Sequence, residues 1–502
     1  MGKGKQKKTG AAKSEARPPS AAAPHPTPAE ARPSGQRCYD MPYSSPSPRV
    51  INPELGLANL VARAGHNAAY SIDVTLLDAP DHRLIRSGVL LAHRVLDGRG
   101  EWFLDAPDWY PLLPKDRIEL MGDADLPDEF ADLIRPLRRR TTLGPVAALR
   151  CERREFALRD GQGATLALLR DDKVTVRRGG LTTARYRQVL ITGVGPGLDE
   201  PQQAWVDRAF DQSGANQVPR FPRLVSRLGA PATGPTDIPE LRPFDPAAPF
   251  RRFVSQLLAL RLRRIVEADL AVRGGDATGA VRLAGQAAAL RLELKGLAVV
   301  LDPDWVEDLY DELDWIVVDA NPAGKPGPAA YEHLVPRLRS ERYLTLLERL
   351  VTAVRSPQLK DTPSAGSPAG RPTGEVLAEL RASAAKRFRR SADALTIDAP
   401  DAQWSETLRA LGQLQWVADL TDQLGIGEGE PLGAFLTKPR RLLTAVTRHQ
   451  FRADETAASV AGLTPTEAFA AGRAYEQQVV EQHQVRASFL SQWAKNRKRL
   501  HT

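Results

Sequence analysis

The hydrophobic period changes once along this chain, and that change limits the fold more than any other feature. Up to about Val194 the apolar residues alternate two by two. VLLAHRV and EWFLDAP flank LDGRG, and EFALRD and ATLALLRDDKVTV flank GQG, so each set predicts a β-hairpin. RYRQVLITGV adds a further strand, and PDEFADLIRPLRR between the hairpins predicts a short helix. After Phe250 the spacing becomes helical, in FRRFVSQLLALRLRRIVEADLAV, GAVRLAGQAAALRLELKGLAVVL, DWVEDLYDELDWIVVD and YEHLVPRLRSERYLTLLERLVTAV, with four more helical runs beyond Gly374. A single period cannot serve both halves, so the expected class is α+β and multidomain: an antiparallel barrel or curved sheet, then an all-α region.

The boundaries follow from composition. Residues 1–48 are rich in Lys, Ala, Pro and Ser and hold almost no large apolar residue before Tyr39, which predicts a disordered basic tail. The β region is expected over 50–195. Residues 196–248, including PATGPTDIPELRPFDPAAP, read as a Pro/Gly-rich linker with at most one short helix. The helical region spans 249–502, in halves of about 249–355 and 375–500, and suggests a duplicated bundle.

The 502 residues carry 69 Lys+Arg against 61 Asp+Glu, a formal charge of +8. Residues 1–37 hold eight Lys/Arg and two Glu, so +6 of that excess lies in the tail and the rest of the chain is nearly neutral. A basic pI near 9.5 therefore does not describe a basic folded face, and nucleic acid is disfavoured as a partner. No apolar run reaches the roughly 18 residues of a membrane span. Two cysteines in unlike contexts, Cys38 and Cys151, predict a reduced, cytoplasmic protein. The eight histidines form no metal-spaced cluster, and neither a glycine-rich phosphate loop nor a nucleophile elbow is present.

LDAPDHRLIRSGVLLAHRVLDGRGEWFLDAP, followed by LRPLRRRTTLGPVAALRCERREFALRDGQGATLALLRDDKVTV and RYRQVLITGV, resembles the CYTH family in the order of its elements. The helical half, through GDATGAVRLAGQAAALRLELKGL, DLYDELDWI, LGQLQWVADLTDQLG and AGLTPTEAFAAGRAYEQQ, resembles CHAD, the conserved-histidine α-helical domain often fused behind CYTH. The resemblance covers about residues 50–500. It implies a triphosphate-tunnel barrel followed by two four-helix bundles, with divalent-metal chemistry on triphosphates in the first part and inorganic polyphosphate binding in the second.

Against that pattern the tunnel chemistry is depleted. The segment before Tyr70, where a Glu-x-Glu-x-Lys strand is expected, has one Glu and no Lys, and Ala92, Asp105, Gln188, Leu190 and Thr192 occupy positions where the family places basic or acidic groups. Arg94, Arg153, Asp171 and Asp172 remain as a residual tunnel set. RLELK at 291–295 imitates the missing signature but lies in a helical run, where alternate residues point about 200° apart. The histidine positions of the helical family fall on Arg282 and Ser405.

A polyphosphate reader needs clustered cations on rigid elements. In GEVLAELRASAAKRFRRSADAL, Lys386, Arg387, Arg389 and Arg390 share one arc of a helical wheel, opposite Leu377, Leu380, Ala384 and Phe388. In KPRRLLTAVTRHQFRADE, with Pro439 read as a helix start, Arg441, Arg448 and Arg452 fall on one stripe. Arg252, Arg263, Arg264, Arg282, Arg291 and Lys295 complete the candidate set. The expected function is a non-catalytic scaffold, on polyphosphate granules, that binds inorganic polyphosphate or another polyanion and needs no cofactor. One alternative is a triphosphatase using Mg²⁺ or Mn²⁺, with Asp171 and Asp172 in its site. The other is a protein-interaction module recognising a protein partner through the tail and the acidic run from Asp302 to Asp319.

Overall fold

The computed structural model describes residues 36–63, 69–96, 98–120, 125–320, 328–361, 364, 366–426, 432–460 and 462–500. The strands are β1 (Gln36–Met41), β2 (Asn59–Ala62), β3 (Ala69–Asp78), β4 (Leu90–Leu96), β5 (Arg99–Asp105), β6 (Arg117–Leu120), β7 (Gly144–Arg159), β8 (Thr165–Arg178), β9 (Leu181–Gly193) and β10 (Asn216–Val218). Helices α1 (Arg83–Arg86), α2 (Asp128–Leu133), α3 (Arg135–Arg138), α4 (Glu200–Gln212) and α5 (Leu224–Leu228) lie among and after them. The helical half then runs through α6 (Phe250–Arg273), α7 (Thr278–Gly296), α8 (Pro303–Ala320), α9 (Pro328–Leu338), α10 (Glu341–Arg355), α11 (Thr373–Asp393), α12 (Asp401–Gln423), α13 (Leu432–Ala458) and α14 (Pro465–Asn496). An antiparallel sheet ordered β10-β1-β9-β8-β7-β3-β4-β5-β6, with β2 beside β7, precedes a helical region, so the class is α+β as the change of period requires.

The hairpins form where turn chemistry meets alternation. Gly98 at φ +77° turns β4 into β5 and sets Arg94 opposite Glu101, where the two side chains pair at 2.6 Å. Between β7 and β8 the Asp160 carboxylate accepts from the backbone N–H of Gln162 and Ala164, and Gly163 takes φ +88°.

The chain divides into two units. The first comprises the described residues up to Ser71, with Cys151–Thr175 and Arg185–Pro222. Its apolar core includes Tyr39, Leu158, Leu169, Ile191, Val206 and Phe210. The second comprises Ile72–Arg150, Val176–Ala184 and the described residues from Arg223 on. One hydrophobic core in it joins Leu91, Trp102 and Phe130 to Phe253, Leu290, Leu347, Phe388 and Trp404.

Three boundaries differ from those read in composition. Residues 36–48 are not all tail, because Gln36–Met41 is a strand paired with β9 and β10. Tyr39 is buried there and stacks on Phe210 at 4.0 Å, and Arg37 pairs with Asp207. The rest of the predicted tail, residues 1–35, lies outside the described residues. The segment 196–248 is not a plain linker: α4 carries a full capping box between Asp199 and Gln202 and buries Val206, Ala209 and Phe210. Pro439 does not start a helix but sits inside α13, whose first residue is Leu432. No described helix is long and apolar enough to cross a membrane.

Candidate anion-binding site

The strongest gathering of the predicted cations lies where α7, α11 and α12 meet. Helix α11 buries Val376, Leu377, Ala384, Phe388 and Ala392, a spacing of three and four that leaves Lys386, Arg387 and Arg390 exposed. Helix α12 buries Trp404, Ala410, Leu411, Leu414 and Val417 and sets Gln403, Glu406, Arg409 and Gln413 along its more open side. Lys295 comes from the last turn of α7, where Gly296 makes the approach to α12 close enough. A Cβ placed on Gly296 would stand 2.2 Å from the Trp416 ring.

These elements enclose an open cleft of about 650 Å³ lined by Lys295, Arg387, Arg390, Arg409, Gln413 and Glu406, among others. Four cations against one carboxylate give the lining a net charge of +3. The Arg387 guanidinium donates to the Gln413 amide oxygen at 2.6 Å. The Lys295 ammonium donates to the Tyr310 hydroxyl at 3.0 Å and lies 4.1 Å over its ring. Arg390 and Arg409 carry no ion pair among the described residues. An array of donors on rigid helices, aimed into a cleft and not neutralised by carboxylates, can take up an anion with little reorganisation.

The other predicted residues are placed differently. Arg263 and Arg264 both pair with Glu267, at 3.1 and 3.0 Å, Arg282 with Asp276, and Arg291 with Asp314 at 2.7 Å. Arg252 is exposed near the start of α6, and Arg441, Arg448 and Arg452 are exposed along α13; none of the four lines the cleft. Arg409 was not among the residues predicted, because it is the one cation of a helix otherwise read as apolar and acidic. Gln403, Glu406, Arg409 and Gln413 follow steps of three, three and four, a polar stripe that signals an open face on this helix.

The residual tunnel set does not assemble into one site. Arg94 is held by Glu101 and lies 4.0 Å over the Phe103 ring. Arg153 grips both carboxylate oxygens of Asp172, at 2.7 and 2.9 Å, and donates to the Tyr70 hydroxyl at 3.1 Å. Burial works to lower the Arg153 pKa, and the Asp172 hydrogen bond and charge overcome it and raise it. Asp171 is held from β9 by Arg187 through two bonds of 2.8 and 2.6 Å. Asp171 and Asp172 are each engaged by a different arginine, Arg187 and Arg153. Among the described residues no three His, Cys, Asp or Glu come together as a metal-binding group.

The RLELK decoy is helical, as its alanine-rich setting predicts. Its Glu293 is 1% exposed and held by Arg261 at 2.6 and 2.7 Å; burial pushes its carboxyl up and Arg261 opposes the shift.

No protein-family model matches the chain, and no curated protein matches it. Among solved structures it is similar to PptA from Streptomyces chartreusis, at 16% identity over 49% of this chain and 100% of that one, with a TM-score of 0.38. It is also similar to bh2851 from Bacillus halodurans, whose name proposes an adenylate cyclase, at 13% identity over 33% and 93% of the two chains and a TM-score of 0.21. PH1819 from Pyrococcus horikoshii OT3 aligns at 11% identity over 37% and 94%, with a TM-score of 0.19. Likenesses this distant carry no argument about function.

Proposed function

We propose that this chain is a polyanion-binding scaffold of CYTH-CHAD type, taking inorganic polyphosphate into the cleft between α7, α11 and α12 without catalysing its breakdown. The observation that carries this reading is the convergence of Lys295, Arg387, Arg390 and Arg409 on one open cleft, with Arg390 and Arg409 unpaired by carboxylate among the described residues. A condensed phosphate chain has about one negative charge per internal phosphate, so a cleft of net charge +3 matches a run of about three phosphates. The natural setting for such a protein is the polyphosphate granule in the cytoplasm.

The test is binding of long-chain polyphosphate to the whole chain over a salt series, beside an Arg387→Glu, Arg390→Glu, Arg409→Glu variant. The log of the affinity should fall linearly with the log of salt, and the variant should lose roughly 2 from that slope, at about 0.7 per contact removed. Equal affinity and slope in the two proteins would move binding elsewhere and end this reading.

A further inference from the structure

Helix α14 leads two lives along its length. Its C-terminal half is seated in the bundle: Gln482 and Arg486 bond Asp401, Phe489 meets the Trp404 ring at 5.7 Å, and Trp493 meets that of Phe388 at 5.2 Å. Its N-terminal half, from Pro465 to Glu481, has no buried residue and is tied to α13 through His449, which lies 3.0 Å from Gln478 and 3.3 Å from Glu481. About 25 Å of helix therefore stands clear of the bundle at 1.5 Å per residue. The same hairpin exposes Phe451, Val460, Leu463, Phe469, Tyr475 and Val480, with Phe469 at 69% and Val480 at 45%.

The exposed side of this half-helix has an order that singles out its partner. Thr466, Phe469, Arg473, Glu476 and Val480 follow steps of three and four, the spacing of a helix-packing seam. The seam is a charge palindrome. Set against itself in antiparallel, about a two-fold axis between Ala474 and Tyr475, it brings Phe469 to Val480 of a second copy and Arg473 to Glu476 of that copy, and each pairing occurs twice. Arg473 and Glu476 are exposed and carry no ion pair among the described residues.

We infer that this chain forms a homodimer through antiparallel pairing of the exposed halves of α14. A two-fold interface must be self-complementary, and this seam meets that condition in both its apolar and its charged positions. A different protein would have to carry the same sequence of groups in reverse. The inference does not depend on any polyphosphate ligand.

Sedimentation of the whole chain over a concentration series, with no polyphosphate present, reads it directly. A reversible monomer–dimer equilibrium is expected. Phe469→Glu should weaken it about tenfold or more. Arg473→Glu and Glu476→Arg should each weaken it, because each sets like charges face to face. The double variant Arg473→Glu, Glu476→Arg should recover to within a few-fold of the starting affinity, and an equal mixture of the two single variants should form heterodimers. All of these side chains are exposed, so circular dichroism should be unchanged and loss of folding is separated from loss of pairing. A chain that stays monomeric to about 100 μM, or a double variant no better than its parents, would overturn the proposal and assign the hairpin to another protein or to none.

Discussion

Gly296 decides the shape of the cleft with a single missing methyl group. The Trp416 ring occupies the space a side chain would need, and Lys295 precedes it on the same turn. Gly296→Ala should lower stability by about 1–3 kcal/mol through overpacking and weaken polyphosphate binding several-fold, both readable by denaturant titration and by the salt series. Cys151 offers a second prediction at this scale. Burial first, then the Asp172 charge, pushes its thiol up to about 11 from 9.0. The fold therefore keeps the thiol protonated where the unfolded chain ionises, and the stability this adds is present below pH 9 and lost as the pH climbs towards 11. In a Cys38→Ser background, alkylation at pH 8 should run roughly a hundredfold slower in the folded protein than in urea. Equal rates would show an ordinary thiol. Arg387 and Arg390 stand out in the sequence because a helical wheel gathers cations within one element, whereas Lys295 belongs to α7, where the candidate cations scatter around the wheel. Arg409 was not legible there, because the other cations of the cleft belong to α7 and α11; the polar stripe inside α12 marks an open face but not what lies across from it.

The elements themselves were legible wherever the period was strong. Both hairpins and the long helices follow the change from alternation to 3.6-residue spacing, and the turns around Gly98 and Asp160 carry the expected residues. What stayed hidden were elements diluted by their surroundings. β1 is six residues beside a tail of Lys, Ala and Pro, and α4 stands in a stretch dense in Pro and Gly, so averaged composition covers both. The α4 capping box was in the letters, as Asp199 and Gln202 flanking Pro201, and it is a fair measure of that helix's own stability. Asp199→Ala should cost about 1 kcal/mol, seen as a lower denaturation midpoint with an unchanged slope; a loss below about 0.3 kcal/mol would mean that tertiary packing alone holds α4. β8 shows a subtler limit. Its buried residues are odd-numbered at Ala167 and Leu169 and even-numbered from Asp172 through Val174 to Val176, so no single alternation describes it.

In the second unit one carboxylate holds distant parts of the chain together. Asp237 is 2% exposed and pairs with Arg86, Arg139 and Arg355, which come from the end of α1, the end of α3 and the end of α10. Removing it leaves the buried Arg139 and the half-exposed Arg355 without an ion-pair partner among the described residues, and leaves Arg86 with Asp81 alone. Asp237→Ala should cost about 3–5 kcal/mol, against less than about 1 kcal/mol for Arg355→Met, whose side chain is half exposed. Equal losses from the two substitutions, measured by chemical denaturation, would show that the charges are not the reason this region holds. Such long-range ties cannot be read from local spacing, which is why the fold class was legible and the division into units was not.

That division has a genetic consequence. The polypeptide leaves the first unit at Ser71, returns at Cys151, leaves again after Thr175 and returns at Arg185. Neither unit is a contiguous stretch of gene, and a fragment beginning near residue 245 would strip Leu91, Trp102 and Phe130 from the core on which the cleft helices rest. A single crossover anywhere between Ile72 and Arg185 therefore divides both units at once, so neither can be exchanged by itself through one exchange of sequence.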